Sequence, residues 1–128
     1  MTILIVDDSR IMRNTVKSVF TGAGMPFTFV EASNGEEALA LLEAFSVDLV
    51  LLDWNMPKLS GIEFLKTARK MDKYKSLPII MVTSESAKFN VIEALKSGAT
   101  DYITKPISSD TFREKIAKLP QFSSLLRR

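Results

Sequence analysis

The sequence predicts an α/β fold, a parallel β-sheet with helices on both faces. Continuous apolar runs at Ile3–Val6, Leu49–Leu52 and Ile79–Val82 have strand length, and their lack of alternation marks strands buried on both faces. Segments of helical periodicity lie between them, so strands and helices alternate along the chain. Each of these runs also ends on polar residues: Asp7-Asp8, Asp53 and Thr83. In an open α/β sheet, ligands bind in the crevice outside the carboxyl ends of the strands.

Taken in order, Ile3–Val6 is the first strand, and Ser9 can cap the helix that follows. That helix carries Ile11, Met12, Val16, Val19 and Phe20 at helical spacing, and Gly22 and Gly24 stop it. Phe27–Ala32 is a short strand. Asn34-Gly35 is a turn or cap, and Glu36–Phe45 is a helix with Ala38, Leu39, Leu41, Leu42 and Phe45 inward. The third strand ends on Asp53. Asn55 and Pro57 mark the turn after it, and Gly61 closes that turn. Gly61–Met71 is a helix with Ile62, Leu65 and Ala68 on one side, and Asp72–Leu77 is a polar loop. Pro78 opens the fourth strand, which leads into Thr83-Ser84-Glu85. The fourth helix covers about Ala87–Ser97 and ends at Gly98. Asp101–Thr104 is a fifth strand, followed by Lys105-Pro106. Ser108-Ser109-Asp110 caps a last helix that runs to about Leu119, and Pro120 interrupts it. Right-handed crossovers then decide which helices share a face.

A chain of 128 residues suits one domain, with its core over about 3–119 and a tail at 120–128. Its 46% hydrophobic and 25% charged content is that of a globular protein. A net charge of +2 gives no reason to expect nucleic acid or an anionic membrane as partner. The chain has no Cys, which excludes disulfides and thiolate metal sites, and no His, which excludes imidazole bases, imidazole ligands and phosphohistidine. The first apolar run is too short for a signal peptide and meets two acids, and nothing approaches a membrane span. A soluble, cytoplasmic protein is expected. The cationic side chains of Lys58, Lys66, Arg69, Lys70, Lys73 and Lys75 read as solvated surface.

A parallel sheet places Asp7, Asp8, Asp53, Thr83 and Lys105 on one edge. Alone, Asp7 or Asp8 would read as a helix cap, Thr83 and Ser84 as caps of the fourth helix, and Tyr102 as packing. Together they form a constellation. Asp7, Asp8 and Asp53 contribute −3 and Lys105 contributes +1, which leaves −2. Crowded carboxylates oppose each other's ionisation unless a cation neutralises them. A single Mg²⁺ balances the sum and suits carboxylate, carbonyl, water and phosphate oxygens. An Asp carboxylate can attack a phosphoryl group, with the metal and an ammonium stabilising the transferring oxygens.

On Asp7-Asp8-Ser9-Arg10, Asp53-Trp54-Asn55-Met56-Pro57 with Gly61, Thr83-Ser84-Glu85, Ala99 with Tyr102, and Lys105-Pro106, the chain resembles the response-regulator receiver domains, above all the stand-alone chemotaxis regulators. The similarity covers Ile3 to about Leu119. It implies a flavodoxin-like, doubly wound sheet of order 2-1-3-4-5 with five helices. It also implies roles. Asp53 is the phosphoacceptor. Asp8, Asp53 and the Asn55 backbone carbonyl bind Mg²⁺, and Asp7 assists through water. Lys105 pairs with the acceptor and then with the phosphoryl group. Thr83 turns its hydroxyl to the phosphoryl oxygen and Tyr102 moves inward in response. Asn55 and Glu85 tune the lifetime of the acyl phosphate. The fourth helix, the fifth strand and the last helix form the effector surface, with Val91, Tyr102 and Ile107 as contacts. The implied partners are a histidine kinase, a phosphatase and an effector such as the flagellar motor switch, met by a monomer that catalyses only its own phosphorylation and dephosphorylation.

Three other readings compete. A phosphorelay intermediate, or a receiver regulating another output such as transcription, keeps the same site. It ranks lower because the sequence shows no DNA-binding module before Arg128. An aspartate-nucleophile phosphatase usually carries a second Asp two residues after the first, where this chain has Asn55, and uses a cap domain. A flavin carrier on the same fold needs a hydroxyl- and Gly-rich phosphate loop after the first strand, where Asp7-Asp8-Ser9-Arg10 would repel phosphate in the absence of metal.

Overall fold

Five strands form one parallel sheet in the order β2-β1-β3-β4-β5: β1 (Thr2–Val6), β2 (Thr28–Ala32), β3 (Leu49–Asp53), β4 (Ile79–Ser84) and β5 (Asp101–Lys105). The helices between and after them are α1 (Arg10–Gly22), α2 (Gly35–Ala44), α3 (Gly61–Arg69), α4 (Lys88–Lys96) and α5 (Ser109–Ala117). The computed structural model describes the chain apart from residues 23–26, 55–58, 85–87, 106–107, 120–121 and 123–128, and describes the backbone alone at 22, 83, 84, 88–90 and 109.

The apolar runs form strands because both of their faces find cover. Ile3 and Ile5 of β1, Leu49 and Leu51 of β3, Ile80 of β4 and Ile103 of β5 pack with Val16 and Phe20 of α1 and Phe112 and Ile116 of α5. Their neighbours Leu4, Val6, Val50, Leu52, Ile79 and Met81 pack on the opposite face with α2, α3 and α4 through Ala38, Leu42, Phe64, Leu65, Ala68 and Ala94. Successive side chains of a strand point to opposite faces, so an unbroken apolar run supplies two cores at once. Each fully buried Leu, Ile or Phe contributes about 1.5–3 kcal/mol of transfer free energy.

The turns carry their own chemistry. Asn34 caps α2 by accepting from the Glu37 amide at 2.9 Å. Ser60 and Glu63 form a reciprocal capping box at the start of α3. Gly61 is required where it stands: a Cβ there would lie 2.1 Å from the carbonyl oxygen of Asp53. Gly98, with φ of 108°, turns the chain from α4 into β5 through a region that favours glycine.

Several expectations are corrected. Of the apolar residues at helical spacing in α1, Ile11 lies off the buried side; it is 78% exposed, five residues before Val16 and so about 140° away round the helix. Phe45 is 50% exposed, because it is the extended C-cap of α2 and has left the helical phase. The third helix ends at Arg69, and the expected polar loop holds a 3₁₀ turn at Asp72–Tyr74. Ser108 occupies the N-cap position of α5, but its side chain makes no capping hydrogen bond. Arg69 is not solvated surface. Its guanidinium donates to the carbonyls of Gly98 and Tyr74 and to Thr100 Oγ1, tying α3 to both ends of the α4–β5 connection and to the 3₁₀ turn. Lys66, Lys70, Lys73 and Lys75 are exposed as expected, and Lys58 lies outside the described residues. Beyond Pro120, Phe122 is fully buried, with its ring 5.9 Å from that of Phe27, so part of the expected tail completes the core.

Candidate functional site

The strand order reverses between β1 and β3: β2 lies on one side of β1, and β3, β4 and β5 follow on the other. Such a reversal opens a crevice at the carboxyl ends of the two strands. Asp7 follows the last residue of β1 and Asp53 is the last residue of β3. The parallel register carries the same edge across the sheet. Val6 lies opposite Leu52, Asp53 opposite Val82, Thr83 opposite Thr104 and Ser84 opposite Lys105.

The described side chains converge as the register requires. Asp7 and Asp53 are each only 6% exposed, whereas Asp8 is exposed. One carboxylate oxygen from each of Asp7, Asp8 and Asp53 lies within 4.8 Å of the other two. The Lys105 ammonium reaches in from β5, 3.1 Å from Asp53 Oδ1 and 3.8 Å from Asp7 Oδ2. Asp7 is further fixed by the Ser9 amide, which donates to its Oδ1 at 2.9 Å. The Ser9 hydroxyl in turn accepts from the Met12 amide at 3.3 Å, so Ser9 caps α1 as expected.

The electrostatics follow from this crowding. Burial raises the Asp53 carboxyl above the ordinary carboxylate range, the Asp7 charge adds to the rise, and Lys105 opposes it. Burial likewise raises Asp7, against the Ser9 amide and Lys105. Both acids resist ionising at a place where the sheet edge presents them together. Partly dried carboxylates of this kind, facing one ammonium, are complementary to a divalent cation.

The remaining site residues fall into two groups. Trp54 follows Asp53, donates its amide to the Val82 carbonyl at 3.2 Å and is partly buried against the core. Tyr102 is partly buried on β5, and the Lys115 ammonium of α5 stands 3.9 Å from its ring centroid. Lys115 also pairs with Asp101 at 3.1 Å. Val91 is partly buried on α4, next to the exposed Ile92 and Leu95. Thr83 is the penultimate residue of β4, at the site edge. Its side chain, together with Asn55, Glu85 and Ile107, lies outside the described residues.

Sequence reasoning missed Arg13, Glu31 and Lys115. Arg13 and Glu31 are 18 residues apart and join only because β2 lies beside β1. Lys115 belongs to an amphipathic helix on which a lysine reads as ordinary surface.

Comparison with known proteins agrees with this geometry. Residues 3–117 match the response regulator receiver domain family. The chain is 39% identical over 119 residues to the chemotaxis protein CheY of Pseudomonas aeruginosa, covering 93% of this chain and 95% of that protein. Among solved structures it resembles the chemotaxis protein CheY4 of Vibrio cholerae with a TM-score of 0.82 and 33% identity, over 92% of this chain and 97% of that one. It also resembles the Mn²⁺-bound form of the response regulator Rcp1 with a TM-score of 0.76 and 26% identity, over 88% of this chain and 87% of that one. The fold, the acid cluster and these likenesses together place the chain in the response-regulator receiver domain family of two-component signalling, with CheY chemotaxis proteins among its relatives.

Proposed function

We propose that Asp53 accepts a phosphoryl group from a histidine kinase, and that the modified chain, acting as one domain in the cytoplasm, binds an effector of chemotaxis such as the flagellar motor switch. The observation that carries this reading is the buried Asp53 carboxylate held 3.1 Å from Lys105 and beside Asp7 and Asp8. A nucleophilic carboxylate needs a cation to meet the developing charge, and the Lys105 ammonium stands 3.1 Å from Asp53 Oδ1.

The donor set fits Mg²⁺. Three carboxylates of which two resist ionising favour a hard dication; Asp8, Asp53 and the Asn55 carbonyl would hold it, with Asp7 assisting through water. A Mn²⁺-bound form of the similar response regulator Rcp1 supports divalent-cation binding by such a chain. When bound, the ion neutralises the acids and the phosphoryl oxygens. In the transfer, an Asp53 oxygen forms a bond to phosphorus as the phosphorus–nitrogen bond of the kinase phosphohistidine breaks, and the departing imidazole takes up a proton. Lys105 passes from the Asp53 carboxylate to a phosphoryl oxygen. Thr83, at the end of β4, donates its hydroxyl to another. Those contacts bias a two-state surface of α4, β5 and α5, with Tyr102, Val91 and Ile107 as its contacts. Water then attacks phosphorus, the bond from the Asp53 oxygen to phosphorus breaks, and inorganic phosphate leaves with the Asp53 carboxylate restored. The polar character of Asn55 and Glu85 gives a short-lived signal, as the family resemblance implies, and a partner phosphatase shortens it further.

Trp54 is the only Trp in the chain, so its fluorescence reports on the site. Titration with Mg²⁺ and then with a small phosphodonor is expected to change it in the wild type. Asp53→Asn should keep a cation response and lose the donor response. A wild type silent to the donor sinks the proposal, and an unchanged donor response in Asp53→Asn moves the acceptor elsewhere.

A further inference from the structure

We propose that Arg13, oriented by Glu31, is a positioning residue that fixes the Asp7–Asp8 segment and thereby sets the affinity of the acid cluster for a divalent cation. The inference rests on reading that cluster as a cation site.

The geometry is a clamp on one peptide. Asp7 lies where β1 leaves the sheet, and its amide donates to the Ala32 carbonyl of β2 at 3.0 Å. Its carbonyl receives a hydrogen bond from Arg13 Nη1 at 2.6 Å. The same guanidinium donates from Nε to Glu31 Oε1 at 3.0 Å, and Lys17 holds the other Glu31 oxygen at 2.9 Å. Consecutive residues of β2, Glu31 and Ala32, therefore fix Asp7 at both ends of its backbone, one through Arg13 and one directly. The Arg13 amide also donates to the Ser9 carbonyl at 3.0 Å, which anchors the clamp in the first turn of α1. One side-chain oxygen each of Asp7 and the exposed Asp8 then lies within 4.8 Å of the other and of one from Asp53.

An ordinary surface ion pair would contribute little and position nothing. This guanidinium is different: its side chain is only 14% exposed, and its planar fork spends one arm on a carboxylate and the other on a backbone carbonyl. Groups that orient ligands from behind commonly change metal affinity about 10–100-fold when removed.

Charge and position predict opposite signs, which makes the clamp testable. If Arg13 acts only as a nearby cation, Arg13→Met removes repulsion and tightens Mg²⁺ binding. If it positions Asp7 and Asp8, Arg13→Met weakens Mg²⁺ binding about tenfold in a Trp54 fluorescence titration of the full chain. Arg13→Lys keeps the charge, loses the fork and should also weaken binding, and Glu31→Gln should weaken it by a smaller factor. Amide hydrogen exchange in metal-free buffer supplies a second readout: the Asp7 and Ser9 amides should exchange faster in Arg13→Met while those of β3 do not change. A Kd within twofold of wild type in both Arg13 variants, or a tighter one, overturns the proposal. A wild type without any Mg²⁺ response overturns the cation reading instead. The clamp then stands or falls on exchange at Asp7 and Ser9, and unchanged exchange in Arg13→Met rejects it.

Discussion

Asp7 and Asp53 carry charges that the folded chain holds at a cost. Both carboxyls are raised by burial; the Asp7 charge raises Asp53 further, and the Asp8 charge raises Asp7 further. A group whose folded pKa lies above its unfolded one binds more protons when folded. Its contribution to stability therefore falls as pH rises, starting at the ordinary carboxylate value and ending above the raised one. Glu31 works in the opposite direction. Lys17 and Arg13 lower it, so its contribution is present above the ordinary value and is lost as pH falls through the lowered one. Its side chain is a third exposed, so that contribution stays below about 1 kcal/mol. Asp7→Asn should raise metal-free stability at pH 7 and flatten its decline with rising pH, as read by urea denaturation across pH 4–8. The same change should weaken Mg²⁺ binding by about tenfold, since Asp7 assists the ion through water, as a group behind a ligand does. A variant both less stable without metal and unchanged in affinity would contradict this account of the cluster.

At the scale of elements, the β3–α3 connection matters most, because it holds Asp53 from behind. The Gly61 amide donates to the Trp54 carbonyl at 3.1 Å, and a Cβ on Gly61 would meet the Asp53 carbonyl oxygen and the Trp54 Cα. Those neighbours are backbone and cannot swing aside. Gly61→Ala should therefore cost about 1–3 kcal/mol by thermal or chemical denaturation and blunt the Trp54 response to Mg²⁺. Ser60→Ala, which removes one half of the capping box of α3, should cost about 1 kcal/mol and leave that response unchanged. The contrast separates a residue that supports the helix from one that supports the acceptor. The importance of Gly61 was legible only in part. Its place in the motif marked a turn, but the reason no side chain fits is the approach of α3 to the end of β3. Arg69 was misread for a related reason. Its partners Gly98 and Thr100 lie 29 and 31 residues away, and only the packing of α3 beside the α4–β5 connection brings them near.

At the scale of the molecule, the sheet separates two cores of different character. The face of α1 and α5 is aromatic: Phe20 meets Phe27 at 5.0 Å and Phe112 at 5.3 Å between ring centroids, both edge to face. The face of α2, α3 and α4 is mainly aliphatic, with Phe64 as its large buried ring. Phe112→Ala should cost about 3–5 kcal/mol in a denaturation experiment. Because Phe112 sits in the core of the face away from α2–α4, the Mg²⁺ affinity of the variant that remains folded should not change. A large affinity loss there would show that the two faces are not separable and that core packing sets the geometry of the acid cluster.

Taken alone, the sequence determined the parallel sheet, the alternation of helices and the gathering of Asp7, Asp8, Asp53 and Lys105. Those features arise from local rules: unbroken apolar runs, helical spacing, and the fact that parallel strands end on the same edge. Only the tertiary structure decided which acids are buried, how far Lys105 reaches, and that Phe122 joins the core while Ile11 does not. It alone paired Arg13 with Glu31, Arg69 with Gly98, and Lys115 with Tyr102. The division has one physical cause. Periodicity is written in neighbouring residues, whereas dehydration and long side-chain contacts depend on which surfaces the folded chain brings together.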